Sequence, residues 1–180
     1  SPSGFNLEAG SRLNLHSEYG PFPVFSLNPS FLWKQKLKFY ANLSSAYRTP
    51  SLYQLFSEYG NADLQPESAI TFEAGAQLYS GKKWTLRATG FNRQVKDIMF
   101  FYYNASTFQS QYINQDRQHD YGLELEGQWQ INAQSSLRAW YTWVDGKIST
   151  RTNGKDTSYN NLLRRPRSSA RKRLPRPPSR

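Results

Sequence analysis

The sequence predicts an all-β fold, an antiparallel transmembrane β-barrel segment of about seven to eight strands. Three observations predict it. Apolar and polar residues alternate with period two along most of the chain, the connections alternate between tight turns and long polar stretches, and aromatic residues gather near the strand ends. A barrel strand of roughly 9 to 11 tilted residues shows lipid only every second side chain, so it stays polar on average. The mean hydropathy of -0.78 fits that pattern.

The first strand places Phe5, Leu7, Ala9, Leu13, Leu15 and Tyr19 on one parity and Asn6, Glu8, Arg12, Asn14, His16 and Glu18 on the other. Phe25, Leu27, Phe31 and Trp33 repeat the pattern, and Leu37, Phe39, Ala41 and Leu43 follow against Lys36, Lys38, Asn42 and Ser44. Phe72, Ala74, Ala76 and Leu78 alternate with Thr71, Glu73, Gly75 and Gln77. Trp84, Leu86 and Ala88 oppose Thr85, Arg87 and Thr89 in a set that runs on towards Ile98. Leu123, Leu125, Trp129 and Ile131 oppose Glu124, Glu126, Gln128 and Gln130. The seventh set is Leu137, Ala139, Tyr141 and Trp143 against Ser136, Arg138, Thr142 and Asp145. No helical pattern of similar strength competes.

Tight turns are expected at 33–36, 80–83 and 132–135, and long polar loops at about 48–68, 104–114 and 145–161, with 20–23 a short exception on the long-loop side. Short turns at one rim and long loops at the other mark an outer-membrane type of barrel. Tyr19, Trp33, Tyr47, Tyr79, Trp84, Tyr102, Tyr121, Trp129 and Trp143 suit two interfacial girdles. A soluble sandwich core is the competing reading. It fits less well, because the strands are long and their other face is charged at nearly every step.

The longest apolar run, Ile98 to Tyr103, is six residues, far below the roughly 20 of a membrane-spanning helix. With no cysteine, neither a disulfide framework nor a thiolate metal site can form. The first residues lack the basic start and apolar core of a secretion signal. The net charge of +10 suggests a nucleic-acid partner until it is located. Residues 164–180 hold eight of the 23 basic residues and no acid, which leaves 15 basic against 13 acidic, +2, in the body. This Pro/Arg-rich tail cannot build a core and is expected to be disordered. It reads as an anion-binding arm, as a solvated tail, or, the favoured reading, as an out-of-frame extension where the alternation stops.

Neither His16 nor His119 has a partner at metal-ligand spacing, and no catalytic constellation is present, so neither an enzyme nor a cofactor or metal site is expected. Glu124 and Glu126 share a strand face, where a solvated wall is the expected role, in a charge network with Arg12, Arg87 and Arg138. Ligand capture would draw on loop aromatics, and the candidates are Tyr53, Phe56, Tyr59, Tyr102 and Tyr103. Arg48, Pro50, Gly60, Asn61, Pro66 and Glu67 punctuate the 48–68 loop: the prolines and Gly60-Asn61 mark strand end and turns, and Arg48 and Glu67 can pair across the loop base.

Residues 46–75 read AYRTPSLYQLFSEYGNADLQPESAITFEAG, which resembles the barrel motif of TonB-dependent receptors: aromatic-Arg-x-Pro, Leu-Tyr-x-Leu-Phe, Gly-Asn-x-x-Leu-x-Pro-Glu, then a strand with Glu-x-Gly. Residues 90–98, 112–114 and 121–126 continue the likeness, and 162–167 resemble the entry to a further strand in the cobalamin-transporter branch. The resemblance implies a partial receptor barrel over 4–163 and a whole barrel of 22 strands in the bacterial outer membrane. It also implies an N-terminal plug, a TonB box that engages the TonB complex, and uptake of a scarce nutrient such as cobalamin or an iron-siderophore. Plug and TonB box are not found in the 180 residues, so the chain is expected to be a truncated receptor, unable to transport alone. The alternative is a soluble β-rich binding protein with a nucleic-acid-binding tail; on the favoured reading the partner is outer-membrane lipid and no nucleic acid is expected.

Overall fold

Alternating side chains on an extended backbone leave every N–H and C=O to be satisfied by neighbouring strands, and the chain meets that demand with one meander. The computed structural model describes residues 4–81, 83–104, 107–152, 155–160 and 167–173. Among these, β1 (Gly4–His16), β2 (Gly20–Trp33), β3 (Leu37–Arg48), β4 (Glu67–Ser80), β5 (Trp84–Asn104), β6 (Gln109–Gln130), β7 (Ser136–Thr152), β8 (Lys155–Asn160) and β9 (Arg167–Arg173) form one antiparallel sheet. A short helix, α1 (Leu52–Phe56), interrupts the β3–β4 connection. Strands pair in sequence order from β1 to β8, and β9 also pairs with β7.

Register keeps the two faces apart across the whole sheet. Phe5, Phe31, Phe39, Ala76, Ala88, Leu125 and Tyr141 stand directly opposite one another from β1 to β7, as do Trp33, Leu37, Leu78, Leu86, Gly127 and Ala139 from β2 to β7. This apolar face has no cover: Phe5, Leu13, Leu15, Phe39, Phe72, Leu86 and Trp129 are all exposed. No described helix is long and apolar enough to cross a membrane, a test that does not bear on strands.

The other face is a hydrogen-bonded polar wall. Arg87 Nε donates to the Tyr40 hydroxyl at 2.8 Å, and that hydroxyl lies 2.5 Å from Thr89 Oγ1. Asn42 donates to Asn28, and Arg138 donates to Gln128 at 3.0 Å while its Nε lies 3.6 Å from Glu126. Asp120, fully buried, accepts from Arg93 at 2.7 Å and from Gln118 at 2.6 Å. Of the network expected of Glu124 and Glu126 with Arg12, Arg87 and Arg138, the described residues show the Arg138–Glu126 pair, while Arg87 bonds the Tyr40 hydroxyl instead, and Asp120 with Arg93 is an addition.

The tight turns fall where the sequence puts them. Lys36 N–H donates to Trp33 O at 3.0 Å across Lys34 (φ 50°) and Gln35 (φ 53°). Both central residues are left-handed, the conformation whose twist suits a two-residue hairpin and which side chains with a Cβ resist. Gln35→Gly is expected to raise stability by about 1 kcal/mol, read as a rise in urea midpoint without a change in slope.

Four expectations change. The loops at 104–114 and 145–161 are mostly strand: β5 reaches Asn104 and β6 resumes at Gln109, while β7 reaches Thr152 and β8 resumes at Lys155. These extensions carry no period-two alternation to announce them: Ile98 to Tyr103 is apolar throughout, Gln109-Ser110-Gln111 is polar throughout, and Met99 and Ile148 are buried. The turn expected at 20–23 lies at 17–19, and Pro21 and Pro23 belong to β2. They are tolerated because β2 pairs with β3 only from Ser26 onward, so no second ladder needs their missing N–H. The α1 helix is too short for a periodicity signal. The segment Arg167–Arg173, expected to be disordered, pairs with Thr142–Ser136 of β7. Backbone pairing to an open edge does not depend on an apolar face. Because β8 pairs with the Lys147–Thr152 half of the same edge, β8 and β9 run end to end as an eighth strand. The remaining tail positions, 164–166 and 174–180, lie outside the described residues.

Candidate functional site

The 48–68 connection is held down by its own motif residues. Arg48 and Glu67 face each other in register, with Nε to Oε2 at 2.8 Å and Nη2 to Oε1 at 2.7 Å, and Glu67 Oε1 also accepts the Met99 N–H at 2.7 Å. Pro50, buried, ends β3. Ser51 then caps α1: its hydroxyl accepts the Gln54 N–H while the Gln54 side chain accepts the Ser51 N–H, a reciprocal capping box. Gly60 closes on this helix so tightly that a Cβ would sit 2.6 Å from Leu55 O. Asn61 N–H donates to Gln54 O at 2.9 Å, and its side chain donates to Tyr112 O at 3.1 Å.

Farther along, Leu64 is fully buried, and its carbonyl accepts the Tyr19 hydroxyl at 3.2 Å. Gln65 and Asn114 exchange two hydrogen bonds, and the half-buried Pro66 leads into β4. The motif residues thus act as a clasp that lays the loop on the β5–β6 ribbon. Glu67→Ala removes an acceptor from both Arg48 and Met99, and the expected result is faster amide exchange and proteolysis at 57–66. The cost is about 1–2 kcal/mol, tempered by the exposure of Arg48.

The clasp gathers aromatic rings. Tyr59 meets Phe101 edge-on with centroids 5.6 Å apart, Phe101 meets Tyr112 at 5.2 Å, and Tyr53 meets Tyr112 at 6.2 Å. Tyr53 and Tyr59 therefore come together, whereas the other three candidates are dispersed. Phe56 projects from α1 at 72% exposure. Tyr102 and Tyr103 lie on β5 rather than in a loop, and because strand neighbours point oppositely they cannot share one ligand; only Tyr103 is on the Phe101 face. Phe101 and Tyr112 are the members that sequence reasoning missed. Their signal is their mutual register, Phe101 opposite Tyr112, which no local pattern reveals.

Chemically the surface offers ring edges with hydroxyl handles, suited to a broad, partly apolar ligand. Tyr59 stays a donor over a wide pH range, because its hydrogen bond to Glu58, and then the Glu58 charge, hold the phenol above its usual range. Among the described residues no three His, Cys, Asp or Glu side chains gather to hold a metal ion.

Comparisons agree with this geometry. The family model described as TonB dependent receptor-like, beta-barrel matches residues 2–175. The vitamin B12 transporter BtuB of Vibrio cholerae serotype O1 (strain M66-2) is 32% identical over 103 residues, 56% of this chain and 16% of its own length. Among solved structures, the siderophore receptor PirA from Pseudomonas aeruginosa superposes with a TM-score of 0.69 at 22% identity, over 87% of this chain and 33% of that one. The copper transporter OprC gives 0.60 at 21%, over 81% and 25%. At these identities the structural likeness speaks to fold, and the chain spans about a sixth of the curated relative's length. The family's members are receptors and transporters rather than enzymes. With its meander, two-faced strands and motif clasp matched along nearly its whole length, the chain belongs to the TonB-dependent receptor β-barrel family.

Proposed function

We propose that the chain forms part of the wall and outer rim of a bacterial outer-membrane receptor for active uptake of a scarce nutrient, with the TonB complex as the partner of the longer receptor. The observation that carries this reading is the family match over 2–175, on a sheet whose uncovered apolar face is continuous from β1 to β7. Cobalamin and metal chelates are the ligand classes to test first, since the matched relatives are described as vitamin B12, siderophore and copper proteins. The surface of Tyr53, Tyr59, Phe101 and Tyr112 is the proposed contact. A soluble binder would leave the same apolar face against water at large cost, which disfavours that alternative.

Two measurements test the reading. The chain is expected to partition with outer membranes and to need detergent for extraction; recovery as a monomer without detergent would falsify it. In detergent, equilibrium dialysis against cyanocobalamin and ferric siderophores is expected to show one ligand class bound. Tyr59→Ala is expected to weaken that binding about tenfold, in the range of a buried aromatic contact. An unchanged affinity removes the aromatic surface from the ligand site.

A further inference from the structure

Of the three seams that join β1 to β4, the middle one is only half laddered. β1 and β2 pair at every position from Gly4–Leu32 to His16–Gly20, and β3 and β4 from Leu37–Leu78 to Arg48–Glu67. Between β2 and β3, residues 30–33 pair with 37–40 and residues 26–27 with 43–44, and on the loop side of Ser26 and Ser44 the ladder stops. The sequence itself keeps it from going on. The Phe25 N–H points at β3, where the Ser45 hydroxyl accepts it at 2.9 Å in place of a carbonyl. In a strand of unbroken register every second N–H points to the same edge. Pro21, Pro23 and Pro29 share the parity of Phe25, so three donors facing β3 are missing.

Side chains close the gap that the backbone leaves. Asn42 donates to Asn28 beside Pro29. Farther towards the loops Phe22 and Tyr47 stack with centroids 3.9 Å apart, and the Tyr19 hydroxyl reaches from the β1–β2 turn to the carbonyl of the buried Leu64 at 3.2 Å. This closure strands one polar group. The Tyr47 hydroxyl is buried and has no hydrogen-bond partner among the described residues, a cost that only the closed arrangement carries. A seam held by a few side-chain contacts, with an unsatisfied hydroxyl inside it, opens more readily than the laddered sheet around it.

We propose that the loop-side half of the β2–β3 seam is a latched slit in the wall. The Tyr19–Leu64 hydrogen bond and the Phe22–Tyr47 stack hold it shut. It opens while β1–β2 and β3–β4 stay paired, and the opening joins the polar face of the sheet to the apolar one. Release of Leu64 also frees one side of the loop that carries Tyr59. The proposal goes beyond the receptor reading and needs only the folded sheet.

The test is pulsed electron spin resonance on the whole chain folded in a neutral detergent, with spin labels on Leu13→Cys of β1 and Ile70→Cys of β4. The chain has no cysteine of its own, and both positions are exposed on the apolar face. Ile70→Cys with Lys147→Cys on β7 is the reference, since it also spans three seams, all of them laddered at that level. The first pair is expected to show a main distance and a minor longer one, and the reference pair a single distance. The two tyrosine hydroxyls are expected to act in opposite directions. Tyr19→Phe removes the latch and should raise the longer component about fivefold, the effect of one hydrogen bond, whereas Tyr47→Phe removes the stranded hydroxyl and should lower it by a similar factor. Tyr19→Phe/Phe22→Ala should raise it at least about tenfold. Absence of a longer component in this double variant overturns the proposal, as does equal broadening of the reference pair. A change of the same sign in the two tyrosine variants, or no change in either, overturns it too. If the double variant does not fold by circular dichroism, the two tyrosine variants decide. Loss of nutrient binding with the slit behaving as described counts against the receptor reading alone.

Discussion

Asp120→Ala is expected to lower the stability of the detergent-folded chain by about 3 kcal/mol, seen as a fall in urea midpoint with an unchanged slope. The carboxylate has no solvent exposure, and its Oδ2 takes Arg93 Nη2 at 2.7 Å, Arg93 Nε at 3.2 Å and Gln118 Nε2 at 2.6 Å. Even the neighbouring strand makes room for it: a Cβ on Gly146 would stand 2.6 Å from Asp120 Oδ1. Truncation leaves a guanidinium that has already lost most of its water, together with an amide aimed at nothing. Removing one member of a buried pair costs about 3–5 kcal/mol, and the 31% exposure of the Arg93 side chain places the expectation at the low end of that range.

The double variant Asp120→Leu/Arg93→Met separates the lost attraction from the stranded charge. If stranding dominates, the double variant recovers most of the loss, since an apolar pair of similar volume avoids desolvation altogether. A loss below about 0.5 kcal/mol for Asp120→Ala would mean that water reaches Arg93 and that the wall is not sealed at this point.

Asp120 also shows what the sequence conceals. In the run Gln118-His119-Asp120-Tyr121 it reads as one more polar residue on a wet face, and its burial arises from Arg93 on β5 and Gly146 on β7, partners 27 and 26 positions away. The faces themselves are legible because one physical demand, lipid against every second side chain, repeats along each strand. Trp84 opposite Trp129 follows from local alternation once the strands pair in order. Where that alternation stops, legibility stops: past Asp97 (φ 56°) β5 runs through the unbroken apolar stretch Ile98 to Tyr103 and β6 opens on Gln109-Ser110-Gln111, so neither shows the period-two pattern that marks the other strands.

The site divides in the same way. Arg48 and Glu67 end adjacent strands around one loop, so their pairing is close to a local inference, and the Ser51-x-x-Gln54 capping box is visible in hindsight. Phe101 and Tyr112 are not. They reach Tyr53 and Tyr59 only because Asn61, Gln65 and Asn114 fasten the loop across a hairpin about 50 residues downstream, through hydrogen bonds whose partners no spacing rule pairs.

Two glycines on the polar face yield the other large effect. At Gly122, a Cβ would overlap Trp143 O on β7 and lie 2.6 Å from Phe91 Cζ; at Gly75, it would lie 2.5 Å from both Ala88 O and the Tyr40 hydroxyl. In each case the aromatic ring of the residue directly opposite reaches into the position that a glycine side chain leaves empty. The Tyr40 ring held in this way carries the hydrogen bonds to Arg87 and Thr89, so Gly75 indirectly orders part of the charged wall. Gly122→Ala and Gly75→Ala are each expected to cost about 1–3 kcal/mol, because the ring can swing away but the neighbouring carbonyl is fixed by its ladder. Double-mutant cycles distinguish the two sources. Phe91→Ala should relieve part of the Gly122→Ala penalty, with a coupling of at least about 0.5 kcal/mol, and the remainder belongs to the backbone contact. Strict additivity of Phe91→Ala and Gly122→Ala would show that the ring does not depend on the glycine, and the account of this packing would then be wrong.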